Sequence, residues 1–133
     1  MKSRSFELRT SAKTQMLNVT SSVSSAVEES GIEDGICLVY VPHTTASVIV
    51  NEGWDPAVVD DISEYLDGRV PWRAGYKHSE GNSAAHIKAS LLGHAAVVPV
   101  AGGRLSLGQW QAIFFCEFDG PRSRRLQVSI VRG

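Results

Sequence analysis

The stretch Gln109-Trp110-Gln111-Ala112-Ile113-Phe114-Phe115-Cys116-Glu117 decides the fold, because it is a long run of aromatic and apolar residues. Side chains in a β-strand alternate between two faces. One face then carries Gln111, Ile113, Phe115 and Glu117, and the other carries Trp110, Ala112, Phe114 and Cys116. We therefore predict a strand, and its last residue, Glu117, needs a partner if it is buried.

Further strand signals surround this stretch. Residues 35–41 are apolar at both alternating positions, which predicts a strand covered on both faces, and residues 46–51 have the same character. Pro99 removes one backbone donor, so residues 95–101 are expected at a sheet edge or bulge. Asp119-Gly120-Pro121 is expected to form a hairpin-type connection to the last strand. The remaining predicted strands are 5–8, 15–17 and 126–130.

Three helices are predicted between the strands. Apolar residues at helical spacing begin at Val19, and Gly31 ends that helix. Asp55-Pro56 is a strong helix start, with Gly68 as the expected end. Asn82 or Ser83 caps the third helix, and Gly93 is expected to close it in a left-handed conformation. The sequence thus predicts one compact α+β domain over residues 1–133, with a mixed, largely antiparallel sheet and about three helices.

Composition excludes several classes of function. The chain has 133 residues, a formal charge of -1 and a pI of about 6.4, so no electrostatic argument supports a nucleic-acid or membrane-surface binder. No apolar run approaches the length that spans a bilayer. Cys37 and Cys116 lie in apolar runs without metal-ligand spacing. These features predict a protein of the reducing cytoplasm.

Histidines supply the candidate site. His78 lies in a polar loop, His86 follows on the third helix, and His43 precedes an apolar strand. On that helix Asn82, His86 and Ser90 are four residues apart and share one face. Three imidazoles with an open fourth position are typical of catalytic zinc, although each ring alone is more often a structural hydrogen-bonding group. His94, at a helix end, is interpreted as structural.

Charged side chains near these elements are the other candidates. Glu80 and Glu117 can orient an imidazole or act as a base. The arginines at 122, 124 and 125 can either neutralise Glu117 in a structural salt bridge or bind a phosphate oxygen. Lys88 is expected to be solvated and is a second anion-binding candidate. Trp110 and Gln111 are interpreted first as core and edge residues, and second as a surface on which a heterocycle stacks.

Several motifs together resemble one known family. They are His43-Thr44-Thr45-Ala46-Ser47 with Asn51-Glu52, His78-x-Glu80-Gly81-Asn82, Ala85-His86-Ile87-Lys88-x-Ser90, Gly108-x-Trp110-Gln111 and Glu117-x-Asp119-Gly120-Pro121-Arg122. In this order the motifs resemble the YjbQ-like family over nearly the whole chain. The resemblance implies a small single-domain α+β protein that assembles as a homotrimer. It also implies a secondary thiamine-phosphate synthase activity and cooperation of the three imidazoles.

The resemblance and the residues together define an expected site. The expected function is a transferase that joins hydroxymethylpyrimidine diphosphate to thiazole phosphate, with a divalent metal, zinc or magnesium, and a small phosphorylated molecule as its ligand. Alternatives are a non-catalytic metal- or anion-binding trimer and a metal-dependent hydrolase. Expected catalytic residues are His43, Glu80, His86 and Glu117, and expected metal ligands are His43, His78 and His86. Expected substrate-binding residues are Thr44, Thr45, Asn82, Lys88, Ser90, Trp110, Gln111, Arg122 and Arg125.

Overall fold

Eight strands and three helices make up the chain, which a computed structural model describes over residues 1–133. The helices are α1 (Thr20–Ser30), α2 (Pro56–Arg69) and α3 (Ser83–Leu92). None of the three has the length and apolar character needed to cross a membrane. The strands are β1 (Lys2–Arg9), β2 (Gln15–Asn18), β3 (Gly35–Tyr40), β4 (Ala46–Glu52), β5 (Ala95–Ala101), β6 (Arg104–Leu105), β7 (Gln111–Glu117) and β8 (Ser123–Arg132).

The strands form two sheets. Five strands pair in the order β1-β8-β3-β5-β6, and three pair in the order β2-β7-β4. Every pair in both sheets is antiparallel, so the expected largely antiparallel character holds throughout. Together with the three helices, this arrangement confirms the predicted α+β class.

β7 is the central strand of the smaller sheet, and both of its faces are buried. Ile113 and Phe115 pack between the two sheets, together with apolar residues of β3, β8 and α1. Ala112, Phe114 and Cys116 pack on the opposite face, under α2 and α3. The predicted alternation of the strand is therefore confirmed, and it separates two cores: the larger sheet covers one face and a helical layer covers the other.

The connection after β7 differs from the prediction. β7 and β8 belong to different sheets, so Asp119-Gly120-Pro121 carries the chain from one sheet to the other and does not form a hairpin. A Cβ atom at Gly120 would lie 2.3 Å from the Ala12 carbonyl oxygen and 2.8 Å from Thr10 Oγ1. The crossing is thus too tight for any residue except glycine.

Two helix ends also differ from the prediction. α2 continues through Gly68, because the Val70 N–H still donates to the Leu66 carbonyl oxygen at 2.8 Å. Gly93 follows α3 with φ 94° and ψ 167°, outside the left-handed helical region, and its N–H donates to the Ala89 carbonyl. A glycine therefore marks the end of a helix only approximately when the backbone can continue the hydrogen-bond pattern.

The outer face of the larger sheet is apolar and partly exposed. Cys37 and Val39 of β3 point into the core, whereas Ile36 and Leu38, which alternate with them, point outward. Ile36 is 46% exposed and Val97, on the neighbouring β5, is 60% exposed. In the single chain, β3 is thus covered on one face only, where the sequence predicted cover on both. The larger sheet presents an apolar surface that no element of the same chain covers.

Candidate functional site

A polar cleft of about 460 Å³ lies where β4 begins and β7 ends. Apart from Pro42, every lining side chain is polar or charged. Three separate segments contribute the predicted imidazoles: the loop before β4, the loop after α2, and the first turns of α3. The structure thus brings the three imidazoles to one cleft. The lining residues are Pro42, His43, Thr44, Thr45, His78, Glu80, Asn82, His86, Arg122 and Arg124.

His43 is held in one protonation form. Its Nε2 accepts a hydrogen bond from the Arg125 backbone N–H at 2.8 Å, which is possible only while Nε2 carries no proton. Burial and the charge of the Arg124 guanidinium lower the pKa of His43 below its ordinary value. The neutral ring therefore carries its proton on Nδ1, and His43 offers one N–H donor.

His78 and His86 form a pair on the other side of the cleft. Their rings meet edge to face, with centroids 5.4 Å apart and an interplanar angle of 88°. His78 Nε2 is 3.9 Å from Glu80 Oε1, and the Glu80 side chain is 72% exposed. Glu80 is the only carboxylate residue that lines the cleft. Proton transfer within the cleft would therefore depend on these two imidazoles and Glu80.

The three imidazoles do not form the expected zinc site. No group of three or more His, Cys, Asp or Glu residues is arranged to hold a metal ion. The Nε2 lone pair of His43 is engaged by the Arg125 amide, so it is not offered to a metal. Magnesium prefers oxygen ligands, which imidazoles do not provide. The three imidazoles therefore offer neither a three-nitrogen zinc site nor the oxygen ligands of magnesium.

Glu117 is completely buried and forms an ion pair with Arg124, which is itself only 5% exposed. Arg124 Nε donates to Glu117 Oε1 at 2.9 Å, and Nη2 donates to Oε2. The Thr10 hydroxyl and the Asp119 N–H also donate to this carboxylate, at 2.8 and 3.0 Å. Burial alone raises the pKa of Glu117, but the hydrogen bonds from Arg124, Asp119 and Thr10 outweigh it and hold the pKa below its ordinary value.

This environment favours the structural interpretation of Glu117. The carboxylate does not line the cleft, and four donors already use its lone pairs. Arg124 does reach the cleft, and its Nη2 also donates to the Thr45 hydroxyl at 2.8 Å. Glu117 therefore positions Arg124 and Thr45, and it contacts no group from which it could take a proton in the cleft.

Asp119 organises the cleft, a role that its sequence context did not predict. Its Oδ2 accepts hydrogen bonds from Asn82 Nδ2 and Arg122 Nη2, both at 2.9 Å. Its carbonyl oxygen accepts from Arg122 Nε at 2.8 Å. Asn82 Oδ1 is buried and has no partner. The spacing of Asp119 and Arg122 across a Gly-Pro turn is the sequence signal from which this contact could have been predicted.

Lys88 and Ser90 lie on α3 but not in the cleft. Lys88 is 4% exposed and forms an ion pair with Asp67 of α2, so the prediction that it is solvated was wrong. Lys88 is buried where α3 faces α2, and Asp67 neutralises its ammonium group there. The Ser90 hydroxyl donates to the His86 carbonyl at 2.8 Å and borders a neighbouring cavity.

Trp110 and Gln111 lie at the opposite end of β7 from the cleft. Six strand steps separate Gln111 from Glu117, which is about 20 Å of extended chain. Trp110 is 52% exposed and meets Trp54 edge to face, with ring centroids 6.0 Å apart. Gln111 Oε1 accepts from the Gly108 N–H. Within one chain the fold does not bring these two residues to the imidazoles.

Arg125 contributes to the cleft through its backbone only. Its side chain is 55% exposed and lies 3.8 Å from Glu7, outside the cleft. Thr44, by contrast, is exposed and lines the cleft directly. The expected substrate-binding residues thus divide into a group at the cleft and a group that lies elsewhere.

Two antiparallel sheets, a helical layer and one polar cleft with three imidazoles define a class of small α+β proteins. The sequence matches the family model described as "UPF0047 protein YjbQ-like" over residues 4–133. The chain belongs to this family.

Individual relatives agree with this assignment. The chain is 43% identical to UPF0047 protein MJ1081 of Methanocaldococcus jannaschii over 126 residues, which cover 95% of this chain and 91% of that one. It is 41% identical to YugU of Bacillus subtilis, covering 96% and 98%. A crystal structure of an uncharacterised family member from Clostridium acetobutylicum is 48% identical, with a TM-score of 0.95 and coverage of 96% and 99%.

We predict that Glu117→Gln destabilises the fold by about 3–5 kcal/mol, because it leaves the buried guanidinium of Arg124 without a counter-charge. Urea unfolding at neutral pH measures the change.

Wild-type stability should also fall in acid. The pKa of Glu117 is depressed in the folded state, so its contribution is complete above the unfolded-state pKa and is lost as pH falls through the folded-state pKa.

The matched control for this prediction is an exposed ion pair. Arg4 and Glu29 have side chains that are 48% and 64% exposed, so Glu29→Gln should change stability by less than about 1 kcal/mol. Equal effects of the two glutamine substitutions would contradict the assignment of Glu117 as a buried structural partner.

We predict that His43 titrates below the value of about 6.5 that is ordinary for histidine. Its folded-state pKa is depressed, so its contribution to stability is complete above the unfolded-state pKa and is lost as pH falls through the folded-state pKa. NMR titration of the ring resonances gives the midpoint. A midpoint at or above 6.5 would show that the hydrogen bond from Arg125 does not fix the neutral ring.

Proposed function

We propose that the cleft binds a small phosphorylated molecule, and that the protein is a secondary thiamine-phosphate synthase-like transferase. The observation that carries this proposal is the convergence of three imidazoles and two arginines on one cleft in which Pro42 is the only apolar side chain. A cytoplasmic location is part of the proposal. Both cysteines are buried and free, which suits a reducing compartment.

Hydrogen-bond donors in the cleft are arranged for phosphoryl oxygens. Arg122 has its Nε and Nη2 held by Asp119, so Nη1 remains available to a ligand. His43 adds its Nδ1–H, and the exposed Thr44 adds a hydroxyl. Donors that are held by contacts outside the cleft need little reordering when an anion binds.

In the proposed reaction, these donors stabilise the leaving group. The thiazole nitrogen attacks the methylene carbon of hydroxymethylpyrimidine diphosphate, the C–O bond breaks, and pyrophosphate leaves with the bonding electrons. Negative charge grows on the diphosphate oxygens, where Arg122 and His43 can donate hydrogen bonds. His86 and Glu80, which line the same cleft, can supply a proton to the departing pyrophosphate. Glu117 acts through Arg124, as a positioning residue.

A divalent cation enters this proposal with the substrate. Magnesium is commonly held by substrate phosphates and water, with few protein ligands. The imidazoles then contribute hydrogen bonds to the phosphate oxygens. Zinc on three imidazoles has no support in the geometry of His43.

One observation favours the alternative of binding without turnover. Glu80 is the only carboxylate residue in the cleft, and it is largely exposed, so water competes for its hydrogen bonds. A protein that only sequesters or senses a phosphorylated molecule would need the donors of the cleft but no base. The measurement of binding and turnover on the same sample separates these two functions.

We also propose that the chain assembles as a homotrimer through the apolar outer face of the larger sheet. Val97 is 60% exposed there, beside the partly exposed Ile36 and Val131. A second copy would remove this surface from water.

Light scattering should give three times the 14.4 kDa chain mass, and Val97→Asp should lower the mass of the assembly. A monomeric wild-type protein would refute the trimer. Tyr65→Asp, on the exposed side of α2, is the control and should leave the mass of the assembly unchanged.

We predict that purified protein with both substrates and magnesium forms thiamine phosphate, and that His43→Gln lowers the rate about 100-fold or more. The loss follows because the Nδ1–H donor to the leaving group is removed. Product formation is measured by chromatography with a dedicated thiamine-phosphate synthase as the positive control. Tyr65→Ala, at an exposed residue that does not line the cleft, should keep the wild-type rate.

Two other outcomes are informative. Binding of the phosphorylated substrates without product, while the positive control runs, would refute the transferase and support sequestration. Absence of both binding and product would refute any role of the cleft as a phosphate site.

A further inference from the structure

A second cavity of about 600 Å³ adjoins the polar cleft. The two share Pro42, His43, Thr44 and His86, so they form one continuous depression with the two imidazoles at the boundary. We call the second cavity the side chamber. Its remaining lining residues are Tyr40, Val41, Ala46, Ala89, Ser90 and His94.

The side chamber has a different chemistry from the cleft. None of its lining residues is Asp, Glu, Lys or Arg, whereas the cleft has Glu80, Arg122 and Arg124. Buried apolar side chains, Val41 and Ala46, lie in its lining. A charged group would lose hydration in the side chamber without gaining a counter-charge, so the chamber suits an uncharged part of a ligand.

Two aromatic rings form one wall of the side chamber. Tyr40 and His94 meet edge to face, with centroids 5.4 Å apart and an interplanar angle of 81°. In the single chain Tyr40 is 38% exposed, and His94 is exposed as well, so both rings keep accessible surface. Flat ring surfaces contact planar groups well and lose little conformational entropy when they do so.

We propose that the side chamber is a subsite for the uncharged, planar body of a ligand whose phosphate occupies the polar cleft. The proposal rests on the proposed function of the cleft and assigns a binding role to Tyr40 and His94. The ligand class is a phosphate ester of an aromatic alcohol or phenol. His43 and His86 then lie beside the bond that joins the two parts of the ligand.

Size supports this division of the ligand. Sites for small molecules usually have volumes of about 300–1,000 Å³. The side chamber alone falls within this range. Inorganic phosphate or a short aliphatic phosphate would fill the cleft and leave the chamber to water. A ring attached to the phosphate would displace that water from apolar surface, which adds affinity.

The test compares phenyl phosphate with inorganic phosphate, by isothermal titration and by NMR shift mapping of the full chain. Phenyl phosphate should bind at least about tenfold more tightly and should shift the resonances of Tyr40 and His94, which inorganic phosphate leaves unchanged. His94→Ala should weaken phenyl phosphate about three- to tenfold and inorganic phosphate less than twofold. Ser90→Phe, which fills the chamber from the exposed side of α3, should abolish the preference for phenyl phosphate.

Tyr65→Ala is the matched control, because it removes an aromatic ring that is 63% exposed and lines neither cavity. It should leave both affinities unchanged. Inorganic phosphate binding without any preference for phenyl phosphate would overturn the subsite and leave the proposed function standing. If the preference for phenyl phosphate survives both His94→Ala and Ser90→Phe, the subsite is likewise overturned and the proposed function stands. Failure of both probes to bind would overturn the proposed function and the subsite together.

Discussion

The buried ion pair between Glu117 and Arg124 is the contact on which the site depends. Glu117 ends β7 in the smaller sheet, and Arg124 lies in β8 of the larger sheet, so the pair joins the two sheets where the chain crosses between them. Burying two charges is unfavourable unless good geometry and further hydrogen bonds compensate. Here the bidentate contact is completed by Thr10 and Thr45, which fixes four segments around one point.

The donors and acceptors that the cleft offers follow from the position of this ion pair. The residue after Arg124 directs its N–H at His43, which selects the Nδ1–H form of that ring. Two residues after Glu117, Asp119 accepts from Asn82 and Arg122 and so determines which of their atoms remain for a ligand. Contacts outside the cleft thus determine which donors and acceptors the cleft offers. A cleft whose donors are already oriented binds an anion with a smaller entropic cost.

Local sequence patterns predicted the elements, and the motif order predicted which imidazoles share a cleft. The alternation in β7 was sufficient to assign its two faces, since it depends only on strand geometry. The sheet to which β8 belongs was not predictable, because Asp119-Gly120-Pro121 is an ordinary turn sequence and strand pairing is non-local. For the same reason Lys88 appeared solvated: its partner, Asp67, lies 21 residues earlier in the chain and meets it only after α2 and α3 pack.

His43 combines several properties that no other candidate residue combines. It borders both the charged cleft and the uncharged side chamber, so it lies at the junction of any ligand that occupies both. His86 shares that position, but no hydrogen bond to its ring fixes which nitrogen carries the proton. Glu80 reaches only the cleft and is exposed, so water competes for its hydrogen bonds. A residue with a fixed donor at the boundary between the two parts of a ligand can act on the bond between them, and this makes His43 the centre of the proposed chemistry.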